Sequence, residues 1–496
     1  MAVPKLCGIE TEYGVVLRGA ADPNPVLASS LLINGFVDQR RIGWDFEDES
    51  PGTDARGFAR DGAQPPDIET HLVNAVLTNG ARYYVDHAHP EYSSPECSDA
   101  LQAVLYDKAG ERILARSMQA ARRLVNEGQE IVVYKNNSDG KGNSYGCHEN
   151  YLVDRGVPFV QLVRNLVPWF VTRQVFCGAG KVGSENGAER VDFQISQRAD
   201  FFEEEVGLET TLKRPIVNTR DEPHADPQRY RRLHVIVGDA NLCEVSTLLK
   251  VGTTSIVLAM IEDGFVTKDL SITAPVPAMQ QVSHDLTLRR PLAMADGSRA
   301  TAIEVQWEFL RLARKYADEV GLDACGGDEL GAVVLDRWEQ TLAALERDPD
   351  ELDGVLDWVT KYRLLRAYAD RDGLDWRDAK LALLDLQYHD VRPDRSLYER
   401  LVNAGKVERV LSESDVTAAM VEPPPTTRAF FRGTVLQRWP DAVVAANWDS
   451  LVLDVGTDPL RRIPMMEPTR GTREHVGALF EAARTPRDLV ELLQGP

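Results

Sequence analysis

Hydrophobic positions along the first 250 residues recur mostly with a period of two, the mark of strands with one covered face. KLCGIETEYGVVLR, RYYVDHAHPEYSS, EIVVYKNN, VDFQISQRA and RRLHVIVGDANLCEVST are rich in β-branched and aromatic residues with partial alternation. The last of these predicts a hairpin turning at Gly-Asp-Ala-Asn. One early stretch, DALQAVLYDKAGERILARSMQAARRLV, instead carries apolar residues at spacings of three and four and predicts a helix. From about residue 300 the helical period takes over, in ATAIEVQWEFLRLARKYADEV, DRWEQTLAALERD, LDGVLDWVTKYRLLRAYADRDG and AKLALLDLQYHD. The prolines of VEPPPTT mark a boundary, so the pattern divides the chain into a large domain, 1–422, and a small one, 423–496. One segment, about 41–70, has neither period. RIGWDFEDESPGTDARGFARDGAQPPDIET is acidic and rich in Gly and Pro, and predicts a long loop. Such a loop is either functional or disordered, and its aromatic residues Trp44, Phe46 and Phe58 favour one that docks on the rest of the molecule.

Composition narrows the class. With 496 residues the chain exceeds one ordinary core. The formal net charge of −21 opposes binding to nucleic acid or to an anionic membrane. No window reads as an uninterrupted apolar span, and the N-terminus lacks the pattern of a secretory signal. Six cysteines stand far apart with no CxxC pair, which argues against a disulfide framework or a zinc site and for the cytoplasm. Against the acidic background, the basic clusters RPIVNTR, QRYRRLH and TTRAFFRG read either as solvated arginines or as a pocket for phosphate or carboxylate.

The strand parity places chemistry. In GIETEYG, Glu10 and Glu12 share a face, which is a polar strand surface unless the two carboxylates share a cation of the Mg²⁺ type. YYVDHAHPEYSSPE gathers Asp86, His87, His89, Glu91 and Glu96. Tyr84 and Asp86 share a face there. Pro90 is expected to end or bend the strand, and parity alone sets Glu91 on the opposite side. In NSYGCHENY, His148 and Asn150 share a face and Glu149 takes the other. In the RRLH strand, Arg232 and His234 oppose Leu233, Val235 and Val237, and a buried Arg and His call for an anion or a ligand. Gln194, Ser196 and Arg198 likewise share a face. Gly178-Ala-Gly180-Lys-Val-Gly183 matches GxGxxG but does not open an apolar helix, so a Rossmann site is rejected. There is no P-loop and no GxSxG elbow.

Together GIETEYG, YYVDHAHPEYSSPE, NSYGCHENY, ISQRADFF, EPHADPQRYRRLHVIVGDANLCE, LDLQYHD and TRAFFRG resemble the family of Pup ligases and deamidases. The acidic insert WDFEDESPGTDARGF, DHAHPEYSSPE and EPHAD resemble its deamidase and depupylase branch. The resemblance implies an α+β fold similar to glutamine synthetase: a curved, mainly antiparallel sheet forming a cradle, helices behind it, and a small C-terminal domain at one end. It implies Mg²⁺ and ATP in the cradle, ATP serving as a bound cofactor. Glu10, Tyr84, Glu91, His148 and His234 fall at metal positions, with Glu12 beside them. Gly8, Ile9, Glu10, Thr11, Glu12, Ser93, Ser94, Asn150 and Arg232 fall at nucleotide positions. Arg198 and Arg220 face phosphate or the modifier's C-terminal carboxylates, and Trp448 borders the nucleotide. Asp86 falls at the catalytic position, as general base or nucleophile. The implied partners are Pup, a disordered acidic modifier, and pupylated proteins. The implied activity is deamidation of Pup's C-terminal Gln and cleavage of its isopeptide bonds. A ligase that consumes ATP and a non-catalytic binder are the alternatives. The acidic insert is expected to gate the site.

Overall fold

Alternation builds the central strand. In β1 (Cys7–Glu12), Cys7, Ile9 and Thr11 are buried, while Gly8, Glu10 and Glu12 face the other way. In the computed structural model, which describes residues 1–37, 42–46, 49, 52–57 and 73–494, β1 lies within a ten-stranded sheet. The other strands are β2 (Gly43–Trp44), β3 (Asn74–Val76), β4 (Arg82–Asp86), β5 (His89–Ser93), β6 (Cys147–Asp154), β7 (Tyr230–Val235), β8 (Val443–Ala446), β9 (Ser450–Leu453) and β10 (Arg461–Pro464). Their order is β7-β6-β1-β5-β4-β3-β2-β8-β9-β10. Every pairing in it is antiparallel except β2 with β8.

The covered face meets helices. Cys7, Ile9, Tyr83, Val85 and Tyr92 share one core with α1 (Pro25–Val37), α2 (Ala100–Ala121), α3 (Phe159–Cys177) and α4 (Glu244–Glu262). Asp99 caps α2 by accepting a hydrogen bond from Gln102 N at 2.8 Å. The amphipathic helices expected beyond residue 300 form as Ala302–Glu319, Asp328–Arg347, Asp357–Asp372 and Ala379–Tyr388. Phe309 and Trp338 set their rings 5.1 and 5.4 Å from that of Trp169 in α3. Truncating such a buried ring costs roughly 3–5 kcal/mol. Helix α4 is as long and apolar as a membrane span, a segment the apolar-window reading passed over. All of it is buried within the protein, which is why it carries no polar face.

Two local expectations fail. The segment after β7 is not a hairpin, because its polar side chains bond to backbone elsewhere and LCEV leads straight into α4. Asp239 accepts from Ala179 N and Gln197 N, Asn241 donates to Cys177 O, and Asp357 accepts from the N–H groups of Leu242 and Cys243. Pro90 neither ends nor bends its strand. The chain reverses at His87–Ala88, where His87 takes φ 51°, and Pro90 lies within β5 opposite Val85. Val85 sends its own N–H to Val73 O on the far side, so this pair asks for no N–H from proline.

Strands β8 to β10 extend the sheet, and a second core gathers Phe431, Leu436, Leu451 and Phe480 with Trp44 and Val76. Of the long loop, Trp44 packs edge-on against Trp448 at 5.3 Å and Phe46 joins the same core. Phe58 and residues 59–72 lie outside the described residues, so the expected docking of Phe58, and most of the gating loop, fall there.

Candidate active site

Register converts sequence parity into one reactive face. Glu10 of β1 lies opposite His148 on β6 and Ser93 on β5. Glu12 lies opposite Glu91, and Glu91 opposite Tyr84. Asn150 stands between Gly8 and His234. Directly paired residues share a face. The turn at His87–Ala88 therefore puts Glu91 beside Tyr84 and Asp86, where parity along an unbroken strand sets it on the opposite side.

Two clusters result. In the first, ligand atoms of Glu10, His148 and His234 lie within 4.8 Å of one another. His148 Nδ1 is 2.9 Å from Glu10 Oε1, and Asn150 donates to Glu10 Oε2 at 3.1 Å. Asn150 Oδ1 accepts from Arg232 at 2.9 Å and lies 2.9 Å from His234 Nδ1. Burial works to raise the Glu10 carboxyl, but the His148 hydrogen bond and the nearby Arg232 guanidinium outweigh it and hold it well below the usual range. Burial, aided by Arg232 and His148, pushes His234 well below the ordinary imidazole range, leaving the neutral ring that metal ligation requires.

In the second cluster, Glu12, Asp86 and Glu91 bring carboxylate oxygens within 4.8 Å of one another. Tyr84 donates to Glu91 at 2.5 Å. Burial, with Asp86, Glu10 and Glu12 close by, pushes the Glu91 carboxyl well above its usual range. A hard divalent cation bound among these oxygens would relieve that crowding, and the donor set of carboxylates and imidazoles fits Mg²⁺ or Mn²⁺. Asp86 sits at the end of β4 with 29% of its side chain exposed and His87 Nδ1 2.8 Å from its Oδ2.

Both clusters border a cavity of about 2780 Å³, open to solvent, which Arg198, Arg220, Arg232 and Trp448 also line. A neighbouring cavity of about 650 Å³ is lined by Gly8, Ile9, Ser93, Ser94, Asn150, Arg232 and Trp448. The Ser94 hydroxyl accepts from Ile9 N at 3.0 Å and so fixes the backbone there. Arg220 turns into the larger cavity a buried Nε with no hydrogen-bond partner among the described residues, a donor that a phosphate oxygen would satisfy. Thr11 stands apart: its hydroxyl lies 3.6 Å from Cys147 Sγ on the covered face, and it lines neither cavity.

Arg82 was not singled out from sequence, whereas Arg428 and Arg432 belong to the basic cluster TTRAFFRG but their partners were not foreseen. Arg82 lies 4.0 Å from the Trp44 ring centre and 3.9 Å from that of Tyr84, while its Nε donates to Asn74. Period-two parity with Tyr84 and Asp86 carried that signal. Arg428 and Arg432 both bind Glu96, at 2.7 and 2.5 Å, and Arg428 also holds His224 O, tying the C-terminal segment to the smaller cavity. No local pattern announces those long-range pairs.

A mainly antiparallel sheet that offers carboxylates, imidazoles and guanidiniums to one cavity, with helices behind, defines an α+β protein with a site suited to a divalent cation and a phosphate-bearing ligand. A family model described as Pup-ligase protein matches residues 5–452, and the chain belongs to that family. It is 54% identical to a depupylase of Acidothermus cellulolyticus and 47% identical to a Pup deamidase/depupylase of Mycolicibacterium smegmatis, each over 99% of both chains. A Pup–protein ligase of Xylanimonas cellulosilytica is 40% identical over 96% of this chain and 99% of its own. Among solved structures, the complex of Pup with its ligase PafA superposes with a TM-score of 0.81 at 33% identity, covering 99% of this chain and 95% of that one. PafA in complex with ADP gives a TM-score of 0.74 at 36% identity over 82% and 90%.

Proposed function

We propose that the chain is an amide and isopeptide hydrolase that converts the C-terminal Gln of Pup to Glu and removes Pup from the lysines of conjugated proteins. Full-length likeness to depupylases, at 54% and 47% identity against 40% and 43% for two Pup–protein ligases, carries this choice. A nucleotide belongs in the cavity beside Trp448; the related ligase was solved in complex with ADP. The residues present fit ATP with Mg²⁺. Gly8, Ile9, Ser93, Ser94, Asn150 and Arg232 surround the smaller cavity, and Arg198 and Arg220 serve phosphate oxygens. Glu10, His148 and His234 form one metal-binding group, and Glu12 and Glu91, with Tyr84 behind Glu91, form the other. Bound Mg²⁺ supplies charge neutralisation and polarisation of the amide carbonyl.

Asp86 carries the chemistry in one of two ways. It takes the proton of an attacking water, or it adds to the carbonyl and expels the amine, ammonia from Gln or the lysine amine from a conjugate, to form an anhydride that water then opens. Both routes need a carboxylate open to the cavity, which is how Asp86 is placed. His87, on the adjacent turn, orients it. The division at residue 422 and a cytoplasmic setting complete the proposal; all six cysteines are buried free thiols, in keeping with a reducing compartment.

The test is a gel assay with a purified Pup–protein conjugate, Mg²⁺ and ATP, run beside Asp86→Asn. Intact Pup released by wild type and not by the variant supports hydrolysis and the role of Asp86 together. New conjugates formed from Pup and free protein, with stoichiometric ADP, establish a ligase instead. Neither activity leaves a binder.

A further inference from the structure

Arg214 opens a short parallel segment, Arg214–Asn218, that pairs with Phe202–Gly207 at the edge of the large cavity. Its Nε donates to Thr210 O and its Nη2 to Ser144 O, both at 2.9 Å, and the guanidinium lies 5.9 Å from the Phe201 ring centre. Three backbone and ring contacts thus fix the plane, while Nη1 has no hydrogen-bond partner and the side chain no ion pair among the described residues. Beside it, Arg198 donates from Nε to the hydroxyl of the same Ser144 and from Nη1 to Ile236 O. The two guanidiniums bracket Ser144, and burial together with Arg214 presses the Arg198 group down to about 10. Arg198 is wedged among carbonyls; Arg214 keeps the free edge.

A half-buried cation held in a fixed plane, with Glu12 and Glu203 acting on it only at a distance and no ion pair among the described residues, is built to receive a carboxylate or phosphate. Glu12 acts electrostatically on both guanidiniums, and all three line the cavity that Asp86 also borders. The substrate bond proposed above lies on the side chain of a terminal residue. Only Cα, Cβ and Cγ separate its carbonyl from that residue's own α-carboxylate. We infer that Arg214 receives this α-carboxylate, restricting hydrolysis to a chain-terminal Gln or Glu and rejecting internal glutamines. The inference rests on the hydrolase function proposed above. It assigns a specificity residue rather than a reacting one.

The experiment compares Pup ending in Gln with the same chain ending in the α-carboxamide, with side-chain deamidation read by mass spectrometry. Wild type should favour the free acid by roughly 10- to 100-fold in kcat/KM, the worth of a hydrogen bond to a charged group. Arg214→Gln should bring that preference toward unity by slowing the acid substrate through KM. Arg214→Lys should restore part of it, and the affinity for ATP should stay unchanged in both. A preference kept in full by Arg214→Gln, even with both substrates slower, overturns the assignment and leaves a structural role. Lost ATP affinity with the preference intact also overturns it and makes the group a phosphate ligand. A wild type that deamidates neither substrate overturns the hydrolase function itself, and the inference with it.

Discussion

Glu10 and Glu12 stand two residues apart on one strand and face one cavity, yet their surroundings differ in kind. Around Glu10 the protein supplies its own compensation: His148, Asn150 and, through Asn150, Arg232 and His234. Around Glu12 it supplies more negative charge, from Asp86 and Glu91, and the one ion pair within the described part of that cluster is His87 with Asp86. The first cluster is a finished network that accepts a cation. The second is left unbalanced, and Glu91 answers by holding its proton. Buried charge without a partner is costly, so the second cluster is where a bound cation adds the most and where a reactive carboxylate can be kept from internal neutralisation.

The largest expected effect tests whether the unbalanced cluster is the reacting one. Asp86→Asn should lower Pup release by about 10²- to 10⁴-fold, the usual contribution of a positioned acid–base group. Nucleotide affinity should be retained. An equal loss of nucleotide affinity would merge the two clusters into one binding site. Next in size is Glu10→Gln. In metal-free protein it should cost about 1.5–3 kcal/mol in a denaturant titration, since a charged acceptor of two hydrogen bonds is lost. No loss there would mean that the first network is not compensated as its geometry implies.

Much of this contrast was legible in the sequence. Parity alone put Glu10 with Glu12, Tyr84 with Asp86, His148 with Asn150 and Arg232 with His234, and each pair does share the cavity face. The helices beyond residue 300 followed from their period. What parity could not carry was the two-residue turn at His87–Ala88. It resets the phase of β5 and brings Glu91 across to Tyr84. The same limit hid the fate of GDAN, since Asp239, Asn241 and Asp357 act on backbone far away in sequence. Helix α4 went unremarked because full burial erases the polar face by which helices are recognised. Arg214 gave only a coarse signal, as part of the basic cluster RPIVNTR. A lone arginine in RPIVNTR gains meaning only when Ser144, Thr210 and Arg198 gather around it.

The smallest effect carries the opposite sign in the two clusters. Glu91 has its folded carboxyl raised above the unfolded value of roughly 4.3. The favourable contribution of its neutral form is therefore fully present below that pH. It is lost as pH rises, because the unfolded chain ionises freely while the folded site resists. Glu10 has its folded carboxyl lowered, so its contribution is present above the same pH and is lost as pH falls toward the folded value. In metal-free protein, Glu91→Gln should thus gain stability over wild type, by about 1 kcal/mol near neutral pH, a size common for single substitutions. That gain should fade toward roughly pH 4. Glu10→Gln should show a deficit over the same range that also shrinks toward acid. Adding Mg²⁺ should turn the Glu91→Gln gain into a loss, because the variant gives up one carboxylate ligand, while leaving Glu10→Gln the less stable protein throughout. Two curves of the same sign in metal-free protein would erase the distinction between a balanced and an unbalanced cluster.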